Sequence, residues 1–212
     1  YDQYFMNPAY NYAMENIEDI LHLDTKKYPQ IKDALEVLKK WDRNANVNSK
    51  QAALVALITK SVIDKLVEEG HFPAVRSRVK EWFLVKCVED AQAHLLKHFG
   101  SLEIPLGDIQ KLVRGKKELP IGGVPDVIAT MWLSDYKDGK FKAEVGETYI
   151  ELIQFTKNGP IIESISPYGA NNVEGNKHYD DQMDLFVQQK CKKMSMNYDE
   201  IMLDKERVYS PN

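Results

Sequence analysis

Up to Gly100 the apolar positions recur at helical spacing; after it they come in short runs between turns. Following Pro29, residues Ile31, Ala34, Leu35, Leu38 and Trp41 fall on one face, the signature of an amphipathic helix. Residues 42–48 are polar and Asn-rich and predict a loop. Ser49 then stands where an N-cap belongs and Gly70 where a C′ residue belongs. Between them Ala52, Ala53, Leu54, Leu57, Ile58, Val62 and Leu66 make a broad apolar face. A third helical stretch covers 74–99 and stops at Gly100, carrying Val75, Val79, Trp82, Phe83, Ala91 and Leu95. Its length predicts a bend or a break.

The later residues read differently. Gly and Pro become frequent, and β-type runs cover 109–113 and 140–145. The clearest pair is 148–155 and 160–165, joined by Lys157-Asn158-Gly159, which predicts a hairpin. Residues 180–189 and 199–207 suit short helices. Helices first and strands later indicate an α+β fold rather than alternating α/β. The expected organisation is a helical portion, 1–100, and a β-rich portion with short C-terminal helices, 101–212, within one fold.

Composition changes this picture little. The 212 residues are 43% hydrophobic and 28% charged, enough to bury a core without disulfides or metals. With a net charge of −4 and no basic block, a nucleic-acid partner has no support. No apolar stretch approaches the roughly 18 residues a membrane helix requires. Cys87 and Cys191 lack metal-type spacing and are expected to be free, mostly buried thiols. The chain opens Tyr-Asp-Gln-Tyr, without an initiator Met or a signal sequence, so it is expected to begin inside a longer polypeptide.

Four local patterns stand in order along residues 30–190. The first is Leu35-x-x-Leu38-x-x-Trp41-Asp42, followed by Ser49-x-x-Ala52-Ala53-Leu54. The second is Leu106-Gly107-Asp108-Ile109-Gln110-Lys111-Leu112-Val113-Arg114-Gly115. The third is Gly146-Glu147-Thr148-Tyr149-Ile150-Glu151-Leu152, and the fourth His178-Tyr179-Asp180-Asp181-Gln182. Together they resemble the penicillin acylase family, and within it the acyl-homoserine-lactone acylase branch. Leu106 stands where that family usually has Trp, Gln110 where it has His, and Tyr168-Gly169-Ala170-Asn171 where it often has Gly-Gln-Ser-Gly. The resemblance predicts that the chain ends at the family's natural C-terminus.

The resemblance implies an N-terminal-nucleophile hydrolase with an αββα sandwich. Such enzymes cut themselves to expose a Ser, Thr or Cys whose side chain attacks an amide carbonyl. The residue's own α-amino group, with a pKa near about 8, serves as base. Backbone and Asn donors hold the oxyanion. The family's nucleophile and oxyanion Asn lie upstream of the matched region, and Tyr1 is not a nucleophile of this kind. No catalytic, cofactor-binding or metal residue is therefore assigned. The expected role is the C-terminal structural portion of an amidase, partnered by the rest of the parent chain and inactive by itself. The parent would act on a small acyl amide and, by resemblance, be periplasmic or extracellular. The alternative is a non-catalytic helical protein-interaction module. A portion removed from a sandwich would expose apolar faces and strand edges and self-associate; a module would not.

Several residues admit a sharper reading. His178 beside Asp181 could act as a general base, but the family's chemistry uses another group, so loop-building by Tyr179, Asp181 and Gln182 is preferred. Gly107-Asp108 could hold a ligand; a turn with Gly107 at an unusual backbone angle is preferred. Gly122-Gly123 lacks the strand and Lys-bearing helix of a phosphate cradle. Trp41, Trp82 and Trp132 could line an acyl pocket, but Trp41 and Trp82 lie on apolar helical faces and are expected in the core. His94 and His98, four apart on a helix, could ligate a metal with a third partner; a solvated or locally paired face is preferred. His22 and His71 show no such pairing, and Lys39-Lys40 and Lys192-Lys193 read as exposed charge.

Overall fold

Helices carry the early apolar faces in the order the spacing predicts. In this computed structural model, which describes residues 12–70, 79–125, 131–203 and 205, α1 is Tyr12–Leu21 and buries Ile17 and Ile20. A 3-10 turn, Pro29–Ile31, leads into α2, Lys32–Lys39, whose Ala34, Leu35 and Leu38 are buried together with Trp41 beyond its end. Helix α3, Ala52–Glu68, is buried on every side through Thr59 and on one face afterwards, as a central helix must be. Helix α4, Glu81–Phe99, packs Leu84, Val88, Ala91 and Leu95 into the same core. No described helix is long and apolar enough to cross a membrane.

The helix ends follow the capping residues. Ser49 Oγ accepts the Ala52 N–H at 3.3 Å, the N-cap bond expected of it, one turn before regular α3 begins. Gly70 (φ 71°) and Gly100 (φ 72°) both take the left-handed conformation that ends a helix.

One core expectation fails. Trp82 is 61% exposed, with its ring edge-on to Phe83 at 5.7 Å. Lys80 is extended (ψ 142°), so α4 starts at Glu81 and Trp82 lies in its first turn, before the buried face begins at Leu84. An apolar phase carried through from Val79 crosses this start and puts Trp82 on the wrong side. Residues 74–78, including Val75, and also His71 lie outside the described residues.

The single-turn helix α5, Leu106–Ile109, delivers the chain to the first strand, with Leu106 and Ile109 fully buried in the helical core. Strands β1 (Gln110–Arg114) and β2 (Lys117–Pro120) form a hairpin closed by the Arg114↔Lys117 pair. Strand β3 (Met131–Asp135) pairs antiparallel with β4 (Phe141–Gly146), and β4 runs parallel to β1 from Gln110↔Phe141. The sheet order is β2-β1-β4-β3. Phe141 carries the sheet into the helical core. These elements make up a first compact unit, residues 1–147, so the change from helix to strand near Gly100 falls inside it.

The second unit, residues 148–212, holds the predicted hairpin. Strand β5 (Ile150–Thr156) pairs with β6 (Gly159–Ile165) from Ile150↔Ile165 to Thr156↔Gly159, and β7 (Lys192–Met194) adds to β6. Helices α6 (Met183–Val187) and α7 (Tyr198–Leu203) are shorter than the 180–189 and 199–207 expected; 204 and 206–207 lie outside the described residues. With helices and both sheets in place, the fold class is α+β.

Neither Cys87 nor Cys191 is in a disulfide; Cys87 is buried on α4 and Cys191 partly exposed. Burial pushes the Cys87 thiol up to about 12, with the nearby Asp90 charge adding to it, so it carries almost no thiolate at neutral pH. Native protein should therefore be alkylated at Cys191 first and at Cys87 only on unfolding. Peptide mapping after a timed alkylation checks this; equal labelling of both in the native state would contradict the burial.

Candidate functional site

The loop after Trp41 is built by its own side chains. Trp41 Nε1 donates to the Asn44 carbonyl at 2.9 Å. Asp42 Oδ1 accepts the Asn44 N–H, Asn44 Oδ1 the Asn46 N–H, and Asn46 Oδ1 the Asn48 N–H, each at 2.9 Å. Three Asx turns in series thus occupy the carboxylate and both amide oxygens in shaping the backbone.

This loop lies against two glycine-bearing segments. Gly107 N–H donates to Val47 O at 2.8 Å, Leu106 N–H to Ser49 O at 3.0 Å, and Gly123 N–H to Ala45 O at 2.7 Å. A β-carbon on Gly107 would stand 2.9 Å from Pro120 Cβ, and one on Gly122 would stand 2.7 Å from Ala45 O. Gly107 does not have positive φ, contrary to expectation. What excludes a side chain there is the space taken by Pro120 Cβ, Val47 Cβ and the Val47 carbonyl, not the turn. Gly123 N–H is committed to Ala45, so Gly122-Gly123 does not present the free N–H groups a phosphate needs.

Behind the clamp sits Gln110, fully buried at the start of β1. Its Nε2 faces three successive carbonyls, Ile121 at 3.2 Å, Gly122 at 2.9 Å and Gly123 at 2.8 Å. Two N–H groups thus serve three acceptors that no strand ladder reaches. Its Oε1 is buried with no partner among the described residues. Nothing in the sequence reading singled Gln110 out for this work. The available signal was a glutamine at a strand start followed, after a hairpin, by Ile121-Gly122-Gly123.

In the second unit, the residues of the fourth pattern close a loop over 166–182. His178 Nδ1 meets Asp181 Oδ2 at 2.7 Å, and His178 O accepts the Asn171 N–H at 3.0 Å. Gln182 N–H donates to Tyr168 O at 2.8 Å, and its Oε1 accepts the Ser166 N–H at 3.3 Å. A β-carbon on Gly169 would fall 2.2 Å from His178 O. Gln182 satisfies backbone groups as expected, whereas Asp181 turns to His178 rather than to the backbone. A His–Asp pair is the base and orienter of a hydrolytic triad, but here the two side chains are 42% and 36% exposed rather than enclosed in a cleft.

The remaining candidates resolve simply. His94 Nε2 lies 2.7 Å from Gly139 O, so that nitrogen carries a proton and is not a free metal ligand. The His94 and His98 rings lie 4.7 Å apart, centroid to centroid. Partial desolvation, and then the neighbouring His94 and Lys97 charges, hold His98 below the usual imidazole pKa. Both features belong to a locally paired face. No group of three metal-type side chains occurs among the described residues. Trp41 is buried; Trp132 on β3 is partly buried.

A family model described as penicillin amidase matches residues 3–202. The chain belongs to the penicillin amidase family. Among curated relatives, the acyl-homoserine lactone acylase PvdQ of Pseudomonas fluorescens is 24% identical over 174 residues, covering 71% of this chain and 21% of the relative. The PvdQ of Pseudomonas savastanoi pv. phaseolicola is 27% identical over 135 residues, covering 62% and 17%. This penicillin amidase chain therefore spans about a fifth of the length of these relatives. Among solved structures, a thermostable penicillin G acylase from Alcaligenes faecalis aligns over 95% of the chain and 46% of its own, with 15% identity and a TM-score of 0.41.

The clamp makes two mutational predictions. Gly122→Ala forces a methyl into Ala45 O and should cost about 1–3 kcal/mol, whereas Gly70→Ala, with open space but positive φ, should cost about 1 kcal/mol. Urea unfolding monitored by Trp fluorescence compares them; equal losses would mean the close approach is not tight. Gln110→Leu should lose about 1–3 kcal/mol by stranding the three carbonyls. Gln110→His, which retains an N–H donor, should lose less. The same unfolding series decides, since a leucine variant as stable as wild type would remove the clamp from the account.

Proposed function

We propose that this chain is a structural portion of a penicillin-amidase-type acylase, a longer enzyme that hydrolyses the amide bond of an acylated amine through a Ser outside these residues. The observation that carries this reading is the family match over 3–202, in a chain about a fifth as long as its acyl-homoserine lactone acylase relatives. The polar side chains of the family-like patterns support it too. Asp42, Gln110 and Gln182 bond to the backbone of their own unit, a framework role. The substrate class follows the relatives' names: a penicillin, an N-acyl-homoserine lactone or a similar acyl amide.

The second unit gives a physical reason to expect a covering partner. Ile153, Ile162 and Met194 stand in register on one face of the β5–β6–β7 sheet, with Phe155 beyond them 85% exposed. Strand β5 is an edge of that sheet and carries one charged residue, Glu151, and no Pro. Natural edges are usually blunted by charge, Pro or bulges. We propose that the rest of the acylase chain covers this surface.

Purified 1–212 should release no product from penicillin G, an N-acyl-homoserine lactone or a chromogenic acyl amide, while the parent with its exposed Ser does. It should also self-associate in sedimentation and bind an apolar dye. Hydrolysis by 1–212 that disappears in His178→Ala would overturn the framework role, and a monomeric, dye-silent chain would favour the interaction module.

A further inference from the structure

The turn between β5 and β6 carries Asn158-Gly159, the one Asn-Gly step in the sequence. Both residues are exposed, and a β-carbon on Gly159 (φ 107°) would meet nothing within 4 Å. Thr156 Oγ1 holds the turn, accepting the Asn158 N–H at 3.1 Å and donating to Gly159 O at 2.6 Å. The Asn158 carboxamide has no hydrogen bond among the described residues, in contrast to Asn44 and Asn46, whose amide oxygens are held in Asx turns and whose following residues, Ala45 and Val47, carry side chains. Next to the turn, Phe155↔Pro160 is a non-hydrogen-bonded pair, so no main-chain bond joins β5 to β6 between Thr156↔Gly159 and Gln154↔Ile161. Exposed hairpin ends open locally at little cost, and opening here releases the Gly159 N–H.

From these features we propose that Asn158 is a self-modifying site, converted to aspartate and isoaspartate without an enzyme. The Gly159 backbone nitrogen loses its proton to solvent base and attacks Asn158 Cγ. The new N–Cγ bond closes a five-membered succinimide, and the carboxamide nitrogen leaves as ammonia. Water then opens the ring at either carbonyl. Opening at one gives Asp; at the other it gives isoaspartate, whose main chain runs through Cβ and Cγ. Glycine permits this because it places no side chain against the closing ring. The isoaspartyl product adds one backbone atom to a loop whose length sets the β5–β6 register, so it unpairs Thr156↔Gly159 and loosens the hairpin.

The test uses the whole chain, incubated at mildly alkaline pH and physiological temperature and sampled over days. Peptide mapping locates amide-to-acid conversion, and methyl transfer from S-adenosylmethionine by an isoaspartyl methyltransferase counts isoaspartate. Asn158 should convert first, with isoaspartate the larger product, while Asn44, Asn46 and Asn48 remain amides. Asn158→Gln, whose larger ring closes far more slowly, should abolish the methyl signal of the peptide carrying residue 158, while any from Asp138-Gly139, which closes the same ring with loss of water, is mapped to its own peptide. Conversion at another Asn before Asn158, or a methyl signal no smaller in Asn158→Gln than in the wild-type chain, overturns the assignment. Asn158→Asp adds the charge without the extra backbone atom. Amide exchange in β5 and β6 should quicken in the isoaspartyl form and not in this variant; equal protection in the two would refute the register effect.

Discussion

Three backbone hydrogen bonds hold the first unit in its arrangement: those that seat residues 45–49 on Leu106, Gly107 and Gly123. Loop backbone at the edge of a core must satisfy its polar groups, because an unpaired buried carbonyl costs as much as a lost hydrogen bond. Here the carbonyls of Ala45, Val47 and Ser49 find N–H groups on segments far away in sequence. Gly107 and Gly122 make room for these bonds, since a β-carbon on the first would crowd Pro120 Cβ and Val47 Cβ and one on the second the Ala45 carbonyl. Helix α3 leaves from one side of this junction, and α5 leads to β1 from the other. Helical core and sheet are thereby fixed to each other by main-chain contacts, with side-chain packing following.

The two buried glutamines do the same work in opposite senses. Gln110 donates into three carbonyls at 121–123, and Gln182 accepts from Ser166 while its backbone N–H reaches Tyr168. In both places the chain runs without a strand partner, and a side-chain amide supplies the missing ladder bond. An amide suits the task because it is uncharged and so carries no ionic desolvation penalty. The unpartnered Gln110 Oε1 marks the cost of filling this place with a residue that has an acceptor to spare.

What was legible in the sequence was local. Helix α3 and its Ser49 cap, the stops at Gly70 and Gly100, and the β5–β6 hairpin all rest on periodicity or on turn residues within a few positions. Helix α1 was not foreseen, nor were β2, β3 and β7, which have five residues or fewer. Runs that short take their state from the strand they pair with. The parallel β1–β4 pairing joins Gln110 to Phe141 across the β2–β3 region, a contact no local pattern encodes. Trp82 was misplaced because helical phase is meaningful only within one helix, and α4 begins at Glu81. Gly107 was recognised as special for the wrong reason, since steric exclusion by a distant loop leaves the same sequence trace as a turn.

The same distinction explains why the family could be read and a catalytic site could not. The first and second patterns meet each other physically, through Val47–Gly107 and Ser49–Leu106. The fourth closes on Tyr168 and Asn171, the segment that follows the strands begun by the third. The first, second and fourth patterns therefore mark places where one backbone fits another, a demand set by the fold. In this chain, glycines at close approaches and amides at ladder gaps serve the path of the backbone. Substrate choice depends on side chains that touch an acyl group, and such contacts impose no common spacing along the chain. A framework can in this way announce its family while leaving substrate to residues that the family's patterns do not constrain.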